Sequence, residues 1–563
     1  MRSSLLPTGI SRRQALTGGA VTSVAALLAL AGCSTSSPDG SSASSSAGSG
    51  HLLTIPREDM GTFTRNFNPF SPNAAPMTGQ AIYEPMLIFN PVQGKTVPWL
   101  AESWDTADDG KSMKFHLRKD VTWSDGKPLT AQDVVTTFAV QKKTLGGYDY
   151  LDSVTADDDQ TVSFTFNRAY SVALYELGQQ LVTPDHVWSK ISDPSKDTNE
   201  TPVGTGPFTE ISNFQSQSFD LLPNEKYWQR DKVKIPGIRM LAFAGNDGAN
   251  LAAVNGDVDW APQYMADIQT AYVDKDPDHR HYWFPGIDST IHWELNNTKA
   301  PFDDPAFRKA VSQAVDRETV CKTGMSGYAS PVDPTGLGDG FKDWKDSDVV
   351  ASKLCTYDKA AAEDALDAAG YKKGSDGVRT MPDGSALSFK ISVGSTSSDW
   401  LSVAQIIVQN LKDVGVTATV DSPDWSEVSA SLEDGTFDSA ICWSSTGATP
   451  YTYYQSALSK EKLKAVGEQT FENYHRCGDE EATSLLADFA ATFDEDEQKE
   501  ICKKIQQRYL EVWPVCPLFP GPMWGAYTDV NFTGWPTEKN GYASLNVKAT
   551  TTVLVLTTLK PTA

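Results

Sequence analysis

Two stretches near the end of the chain combine aromatic rings with hydroxyl groups and turn-forming residues. They span residues 442–454 and 517–527. Their candidate contact residues are Trp443, Ser444, Ser445, Tyr451 and Trp524. Aromatic rings stack on the C–H faces of sugars, and hydroxyl groups exchange hydrogen bonds with sugar hydroxyls. The two stretches therefore predict a carbohydrate contact carried on loops, with a place in the core as the alternative for the rings.

No catalytic motif accompanies these residues. The sequence has no GxSxG, HExxH or CxxC pattern. Gly94–Thr96 and Gly110–Ser112 look like the ends of phosphate-binding loops, but Phe89 and Asp105 stand where the upstream glycine is required. The segment His279–His281 offers two imidazoles without a third metal ligand nearby, so an exposed polar turn is the simpler interpretation. The sequence thus predicts no enzyme, no cofactor and no resident metal, and it argues against a secreted hydrolase.

The N-terminal residues look like an export signal. Ser11–Leu16 contains a twin arginine, and the apolar run Ala20–Ala31 is too short to span a membrane. Leu30–Cys33 resembles a bacterial lipobox, in which the signal is cut before the cysteine and the thiol is acylated. We therefore predict a lipid anchor at Cys33 on the outer face of the cell membrane, after export by the twin-arginine or the general route.

The composition predicts a large acidic protein behind a tether. Ser34–Gly50 is nearly all serine, glycine and alanine, which cannot bury apolar surface. The chain of 563 residues is too long for one core, so two or three lobes are expected. A net charge of −24 argues against nucleic acid as a partner. We expect a monomer.

Six cysteines follow residue 320, and their even number in an exported chain predicts disulfide bonds without defining their pairing. They are Cys321, Cys355, Cys442, Cys477, Cys502 and Cys516.

One segment predicts a strand–turn–helix unit. Phe115–Leu117 and Val121–Trp123 have apolar side chains at every second position. Asp125-Gly126 predicts a turn, and Thr130 with Asp133 predicts a capping box at the start of a helix.

Further along, Asp304 followed by Pro305 predicts the start of another helix. An alternation of helices and strands is then predicted over Ala360–Gly374, Leu387–Val393, Trp400–Val414 and Val416–Val420. This alternation indicates an α/β lobe.

The segment Trp123–Val134, WSDGKPLTAQDV, resembles the signature of the family 5 extracellular solute-binding proteins. These proteins are the binding subunits of ABC importers for peptides, some oligosaccharides and nickel. Further strings that resemble this family lie at residues 82–86, 98–104, 202–208, 224–228, 254–260 and 295–310.

The resemblance implies the fold and the partner. The expected fold is α/β, of the periplasmic-binding-protein-like class, with two α/β lobes around a ligand cleft and a smaller extra domain (cluster C type). The expected partner is an ABC permease in the membrane. Lobe I is implied to be discontinuous, with three segments at 51–90, 201–290 and 513–563. The other implied boundaries are 1–32 signal peptide, 33–50 lipidated cysteine and tether, 91–200 extra domain and 291–512 lobe II.

The resemblance also bears on the ligand. Asn66, Phe67 and Asn68 match the string of sugar-binding branches and are further candidate contacts. Oligopeptide-binding members carry an Asp for the ligand's amine in the loop corresponding to 442–450, where this chain has Ser444 and Ser445 and no acid. The sequence therefore favours an oligosaccharide, and an oligopeptide stays open as the alternative.

Overall fold

The computed structural model describes residues 50–286 and 289–562. Its strands are β1 (Leu53–Arg57), β2 (Leu87–Asn90), β3 (Lys95–Pro98), β4 (Ala101–Thr106), β5 (Ser112–Leu117), β6 (Leu151–Ala156), β7 (Thr161–Phe166), β8 (Phe208–Gln215), β9 (Ser218–Pro223), β10 (Ile238–Ala242), β11 (Trp260–Ala261), β12 (Arg280–Tyr282), β13 (Thr290–Leu295), β14 (Ser388–Ser392), β15 (Thr417–Asp421), β16 (Ser439–Trp443), β17 (Cys516–Pro520), β18 (Ala526–Thr528), β19 (Phe532–Thr533) and β20 (Lys560–Pro561).

Its α-helices are α1 (Ala131–Thr144), α2 (Ala173–Gly178), α3 (Asp185–Trp188), α4 (Asn246–Asn255), α5 (Ile268–Ala271), α6 (Pro305–Ala314), α7 (Arg317–Thr319), α8 (Ser347–Val350), α9 (Lys359–Ala368), α10 (Ser398–Asp413), α11 (Trp425–Asp434), α12 (Tyr451–Leu458), α13 (Glu480–Ala491), α14 (Glu495–Val512) and α15 (Thr552–Leu556). Short 3₁₀ or π turns occupy Thr78–Ile82, Arg230–Lys232, Val273–Lys275, Val320–Gly324, Asp339–Trp344 and Lys460–Lys462.

A five-stranded mixed sheet has the order β15-β14-β16-β13-β17. Strand β14 runs parallel to β15 and to β16, whereas β13 is antiparallel to both of its neighbours. Apolar side chains of α6, α9 and α10, such as Phe307, Leu366 and Ile407, form one buried cluster with this sheet. Because β14, β15 and β16 are parallel, their carboxyl ends meet at one edge.

Two further sheets are built from earlier segments of the chain. One has the order β1-β10-β9-β8, and an antiparallel one has the order β4-β5-β7-β6. Strand β18, near the end of the chain, pairs between β11 and β12, which precede the five-stranded sheet. The indole N–H of Trp260 in β11 also donates to the carbonyl of Leu545 at 2.9 Å. The end of the chain therefore returns to the segment before residue 286.

The predicted capping signals act as expected at the starts of two helices. The Asp133 carboxylate accepts the backbone N–H of Thr130 at 2.7 Å, and α1 begins at the next residue. Asp304 accepts the N–H of Ala306 at 2.8 Å at the start of α6. The prediction of a strand at Val121–Trp123 is wrong, because only Thr122 forms an isolated pair, with Pro128. Two backbone hydrogen bonds flank this pair, from the Trp123 N–H to the Lys127 carbonyl at 2.8 Å and from the Leu129 N–H to the Val121 carbonyl at 3.0 Å, and they close the turn at Asp125-Gly126.

The predicted disulfide framework is not formed. All six cysteines in the described part of the chain, Cys321, Cys355, Cys442, Cys477, Cys502 and Cys516, are free. Five are buried in apolar clusters, as Cys442 is against Val428 and Leu432. Buried cysteine behaves as a small apolar side chain, and this packing accounts for the residues without bridges.

The α/β prediction is confirmed by the mixed sheets and their helices. The domain boundaries stay a prediction. The export signal, the tether up to residue 49 and Cys33 lie outside the described residues. Within residues 50–286 and 289–562, no helix has the length and apolar character needed to cross a bilayer.

Candidate ligand-binding site

Three tryptophans lie where the parallel strands of the five-stranded sheet end. Trp443 is the last residue of β16, Trp400 lies in the first turn of α10, which follows β14, and Trp425 begins α11, which follows β15. Ligands of α/β sheets bind at the carboxyl ends of parallel strands. The chain topology therefore brings together three rings that are far apart in sequence.

These three rings contact one another. The ring centroids are 5.1 Å apart for Trp425 and Trp443, 5.7 Å for Trp400 and Trp443, and 6.2 Å for Trp400 and Trp425. Trp443 is 45% exposed, an unusual state for the largest apolar side chain. An exposed ring supported by two others offers an apolar surface to a ligand.

The rings line a cavity of about 400 Å³, which we call the main cavity. Its lining residues are Glu58, Asp59, Asn246, Pro262, Tyr264, Ser289, Ile291, Met325, Thr396, Ser397, Asp399, Trp400, Trp425, Trp443, Ser444, Thr446, Phe519, Gly521, Pro522, Trp524, Asn546 and Lys548. A second cavity of about 450 Å³ shares Thr446, Asn546 and Lys548 with it. The two together form an extended space of the size that ligand sites have.

Trp524 lies in the main cavity wall between β17 and β18. Its ring meets Tyr264, Phe284 and Tyr328 at steep angles, with centroids 5.3, 4.9 and 6.0 Å away. Trp524 is only partly exposed, and three aromatic rings pack against it. It therefore stabilises the surrounding structure as well as lining the cavity. The structure thus brings Trp443 and Trp524 to one cavity, although Trp443 ends a strand instead of lying on a loop.

The two predicted serines lie at the same place but are engaged within the protein. The hydroxyl of Ser444 accepts the backbone N–H of Thr290 at 2.9 Å, and the Ser444 N–H donates to the Thr290 carbonyl at 2.8 Å. The hydroxyl of Ser445 donates to Ser456 at 3.1 Å. Ser444 lines the main cavity, and both serines line a smaller polar cavity beside it.

The other predicted contacts lie outside the linings of these cavities. Phe67 is fully buried, and Asn68 is buried with its amide donating to the carbonyls of Pro194 and Asp197. Asn66 holds the local turn through Ser71. Tyr451 begins α12 and is buried against Phe489. Their contacts are those of structural residues, and the structure does not bring them to the main cavity.

Several residues of the main cavity had no place in the sequence prediction. The acidic residues Glu58, Asp59 and Asp399 and the basic residue Lys548 all line it. Lys548 lies 2.8 Å from Asp59 and 3.4 Å from Glu58. Burial raises the pKa of Asp399 to about 6, and the negative charge of Glu58 adds to the shift. For Asp399 the available signal was an acidic residue just after a strand, β14, that leads into a helix.

The polar cavity, of about 110 Å³, lies beside Trp443 and is lined by the buried side chains of Glu294 and His475. His475 contacts the carbonyl of Ala457 at 2.8 Å with Nε2 and Glu294 at 2.9 Å with Nδ1. Although burial alone would raise the pKa of Glu294, His475 and His292 lower it to about 2. Because a carbonyl and a carboxylate accept hydrogen bonds, each ring nitrogen of His475 faces an acceptor. This pair fixes the structure beneath Trp443 without facing the main cavity.

The model of the family "Bacterial extracellular solute-binding proteins, family 5 Middle" matches residues 95–464. The chain is 25% identical over 466 residues to "Heme-binding protein A" of Haemophilus influenzae, which covers 76% of this chain and 80% of that protein. It is 24% identical over 483 residues to "Oligopeptide-binding protein OppA" of Bacillus subtilis, with 79% and 82% covered.

Among solved structures, the chain is similar to a mannohexaose-bound periplasmic oligopeptide-binding protein of an ABC transporter from Thermotoga maritima. The TM-score is 0.82 at 24% identity, with 91% of this chain and 98% of that chain covered. At this identity the likeness shows the fold alone. It agrees with the predicted periplasmic-binding-protein class.

Proposed function

The chain belongs to the bacterial extracellular solute-binding proteins, family 5, and we propose that it binds an oligosaccharide in the main cavity for import by an ABC permease. Proteins of this family bind solutes and do not transform them, in agreement with the predicted absence of catalysis. The matched proteins carry names that refer to haem, oligopeptides and a bound mannohexaose. Membership therefore leaves the ligand to be argued from the cavity.

The cluster of Trp400, Trp425 and Trp443 is the observation that supports a saccharide. Sugar rings have apolar C–H faces that stack on indole, and burial of an aromatic ring is worth about 2–3 kcal/mol. Amide and hydroxyl groups of Asn246 and Thr446 line the same cavity and can bind sugar hydroxyls. Side chains of these two kinds fit a ligand with apolar faces and a polar rim.

An oligopeptide is the second candidate, and one observation favours it. The loop 442–450 has no acid, but Asp399 places a carboxylate in the main cavity from another element. A carboxylate in a cleft can bind the free amine of a peptide.

Calorimetric titration decides between the two ligands. We expect hexasaccharides such as mannohexaose or cellohexaose to bind and to raise the melting temperature of the protein, because they bind only the folded state. Tetrapeptides of neutral residues serve as the comparison. Binding of the peptides without binding of any oligosaccharide would contradict the saccharide proposal and leave the family assignment intact.

We further propose that the mature protein is held at the outer face of the membrane through Cys33. The support is the Leu30–Cys33 string together with membership of a family of exported binding proteins.

A further inference from the structure

Asp399 is a buried carboxylate that forms no ion pair with any residue that the structure describes. The residue is 7% exposed and lines the main cavity from the first turn of α10. Within residues 50–286 and 289–562, no Lys, Arg or His side chain forms an ion pair with it. In the described part of the chain, backbone N–H groups of its own turn, at Asp399 and Trp400, stabilise the ionised carboxylate, whereas the negative charge of Glu58 disfavours it. A buried charge without a partner is costly, so a positively charged group of a ligand bound beside Asp399 would reduce that cost.

The carboxylate of Glu58 also has an oxygen without a hydrogen-bond partner among the described residues. Its Oε1 lies 3.4 Å from Lys548, whereas its Oε2 is buried and has no hydrogen-bond partner among the described residues. Buried polar atoms are satisfied in the great majority of native structures. Lys548 lies closer to Asp59, at 2.8 Å, than to Glu58. Among the described residues that line the main cavity, three are acidic and one, Lys548, is basic.

The aromatic wall fits the same kind of group. The faces of Trp400, Trp425 and Trp443 carry negative potential, and cations bind over indole more strongly than over other rings. A helix start alone would explain an acid at Asp399, because the N-terminus of a helix favours negative charge. It would not explain the orphaned oxygen of Glu58 or the tryptophans beside it.

We infer that the ligand places a protonated amine in the main cavity, bound by the carboxylate of Asp399, favoured by the nearby negative charge of Glu58 and flanked by the tryptophan cluster. This inference rests on the proposed function of the same site and narrows its ligand class. Two sources supply such an amine: an amino sugar unit of an oligosaccharide, and the N-terminus of a peptide. The chemistry of recognition is the same for both.

The test uses ligands that differ only at the amine. Three hexasaccharides with β-1,4 links serve as probes: the glucosamine oligomer, its N-acetylated form and cellohexaose. Tetra-alanine with a free and with an acetylated N-terminus represents the second source. Binding to the full chain is measured by calorimetry near neutral pH, above the pKa of about 6 of Asp399, so that its carboxylate is charged while part of the sugar amine is protonated.

The variants remove charge and keep shape. For an amine-bearing probe, Asp399→Asn and Glu58→Gln are expected to weaken binding, Asp399→Asn by about 10- to 100-fold, the range for a hydrogen bond to a charged group. Asp413→Asn, at the exposed far end of the same helix, is the matched control and should change nothing. The melting temperature of each variant shows that it folds.

The outcomes separate this inference from the proposed function. Tighter binding of the glucosamine oligomer than of its acetylated form, lost in Asp399→Asn, supports both. If cellohexaose binds as tightly and Asp399→Asn and Glu58→Gln bind every probe like the unchanged protein, the inference is overturned while the saccharide proposal stands. If only free-amine tetra-alanine binds, and Asp399→Asn abolishes it, the amine is confirmed and the saccharide proposal is wrong.

Discussion

The rings of Trp425 and Trp443 lie with their centroids 5.1 Å apart and their planes at 36°. One begins the helix that follows β15 and the other ends β16, and these strands are both parallel neighbours of β14. The contact therefore follows from strand order, since it depends on where parallel strands end. It supports the exposed face of Trp443 from behind, as a binding surface requires.

Truncation of single tryptophans should separate binding from folding. Trp443→Ala is expected to weaken the binding of an oligosaccharide about 30- to 150-fold, because it removes about 2–3 kcal/mol of ring contact. Its melting temperature should change little, since the ring is 45% exposed. Trp524→Ala should lower both affinity and melting temperature, because three aromatic rings pack against it.

The matched control is Trp535→Ala. This ring is buried and stacks on Tyr527 with centroids 4.8 Å apart, so its loss should lower stability by several kcal/mol and leave affinity unchanged. Calorimetry and melting curves measure the two effects. A Trp443→Ala protein with normal affinity and a large loss of stability would assign that ring to the core.

Local signals predicted some residues of this site, and the rest depended on pairing between strands. Trp443 and Trp524 stood out because they are aromatic residues beside turn formers. Trp400, Trp425 and Asp399 did not, because each joins the site only through the order β15-β14-β16. Sequence spacing does not contain that order. Asn66 and Asn68 were predicted as ligand contacts because they lie in a string that resembles the family. In the structure their side chains stabilise a turn and a buried loop instead.

Residues from three of the segments that resemble the family contact one another through the carboxylate of Glu84. Glu84 accepts the indole N–H of Trp99 at 2.7 Å, the hydroxyl of Tyr227 at 3.1 Å and the indole N–H of Trp228 at 3.3 Å. Glu84→Ala leaves these donors without an acceptor in the core, so we expect a loss of about 3 kcal/mol or more of unfolding free energy. Urea denaturation measures it. Glu102→Ala, an exposed glutamate nearby, is the control, and equal stabilities of the two variants would refute the role of Glu84.

The six cysteines after residue 320 should all be free thiols in the exported protein. Maleimide labelling in denaturant without reductant, followed by peptide mapping, is expected to mark each of them. In the native protein the five buried cysteines should react slowly, because the thiolate is the reactive form and burial disfavours it. Burial raises the pKa of the Cys477 thiol, for example, to about 11. Two or more cysteines that are labelled only after reduction would show that a disulfide bond is present.

The predicted anchor has a direct test. Cys33→Ala should leave the protein uncleaved or released from the membrane, because no thiol is then available for acylation at the end of the signal. Fractionation of cells, with the unchanged protein beside it, measures this. Retention of the variant in the membrane fraction in processed form would contradict a lipid anchor at this residue.

Asp399 should reduce the stability of the protein without ligand, in a way that depends on pH. The charged groups around its carboxylate are Glu58, Asp59 and Lys548, with the neutral hydroxyl of Tyr264 in the same wall. Burial raises the pKa of Asp399 from 3.8 to about 6 in the folded chain, so the folded state binds its proton more tightly than the unfolded state. The cost is therefore fully present above about pH 6 and disappears as the pH falls below the unfolded value.

Asp399→Asn removes this cost, at about 1.4 kcal/mol for each unit of pKa difference. We expect the variant to be more stable than the unchanged protein at pH 8 by on the order of 2–3 kcal/mol, with the gain vanishing toward pH 4. Groups kept for binding often reduce stability in this manner. Denaturant titrations of both proteins across this range, with Asp413→Asn as the control, measure the difference. A gain that is constant with pH would show that Asp399 is not ionised at a cost, and a loss of stability at pH 8 would assign its carboxylate to the support of the helix start.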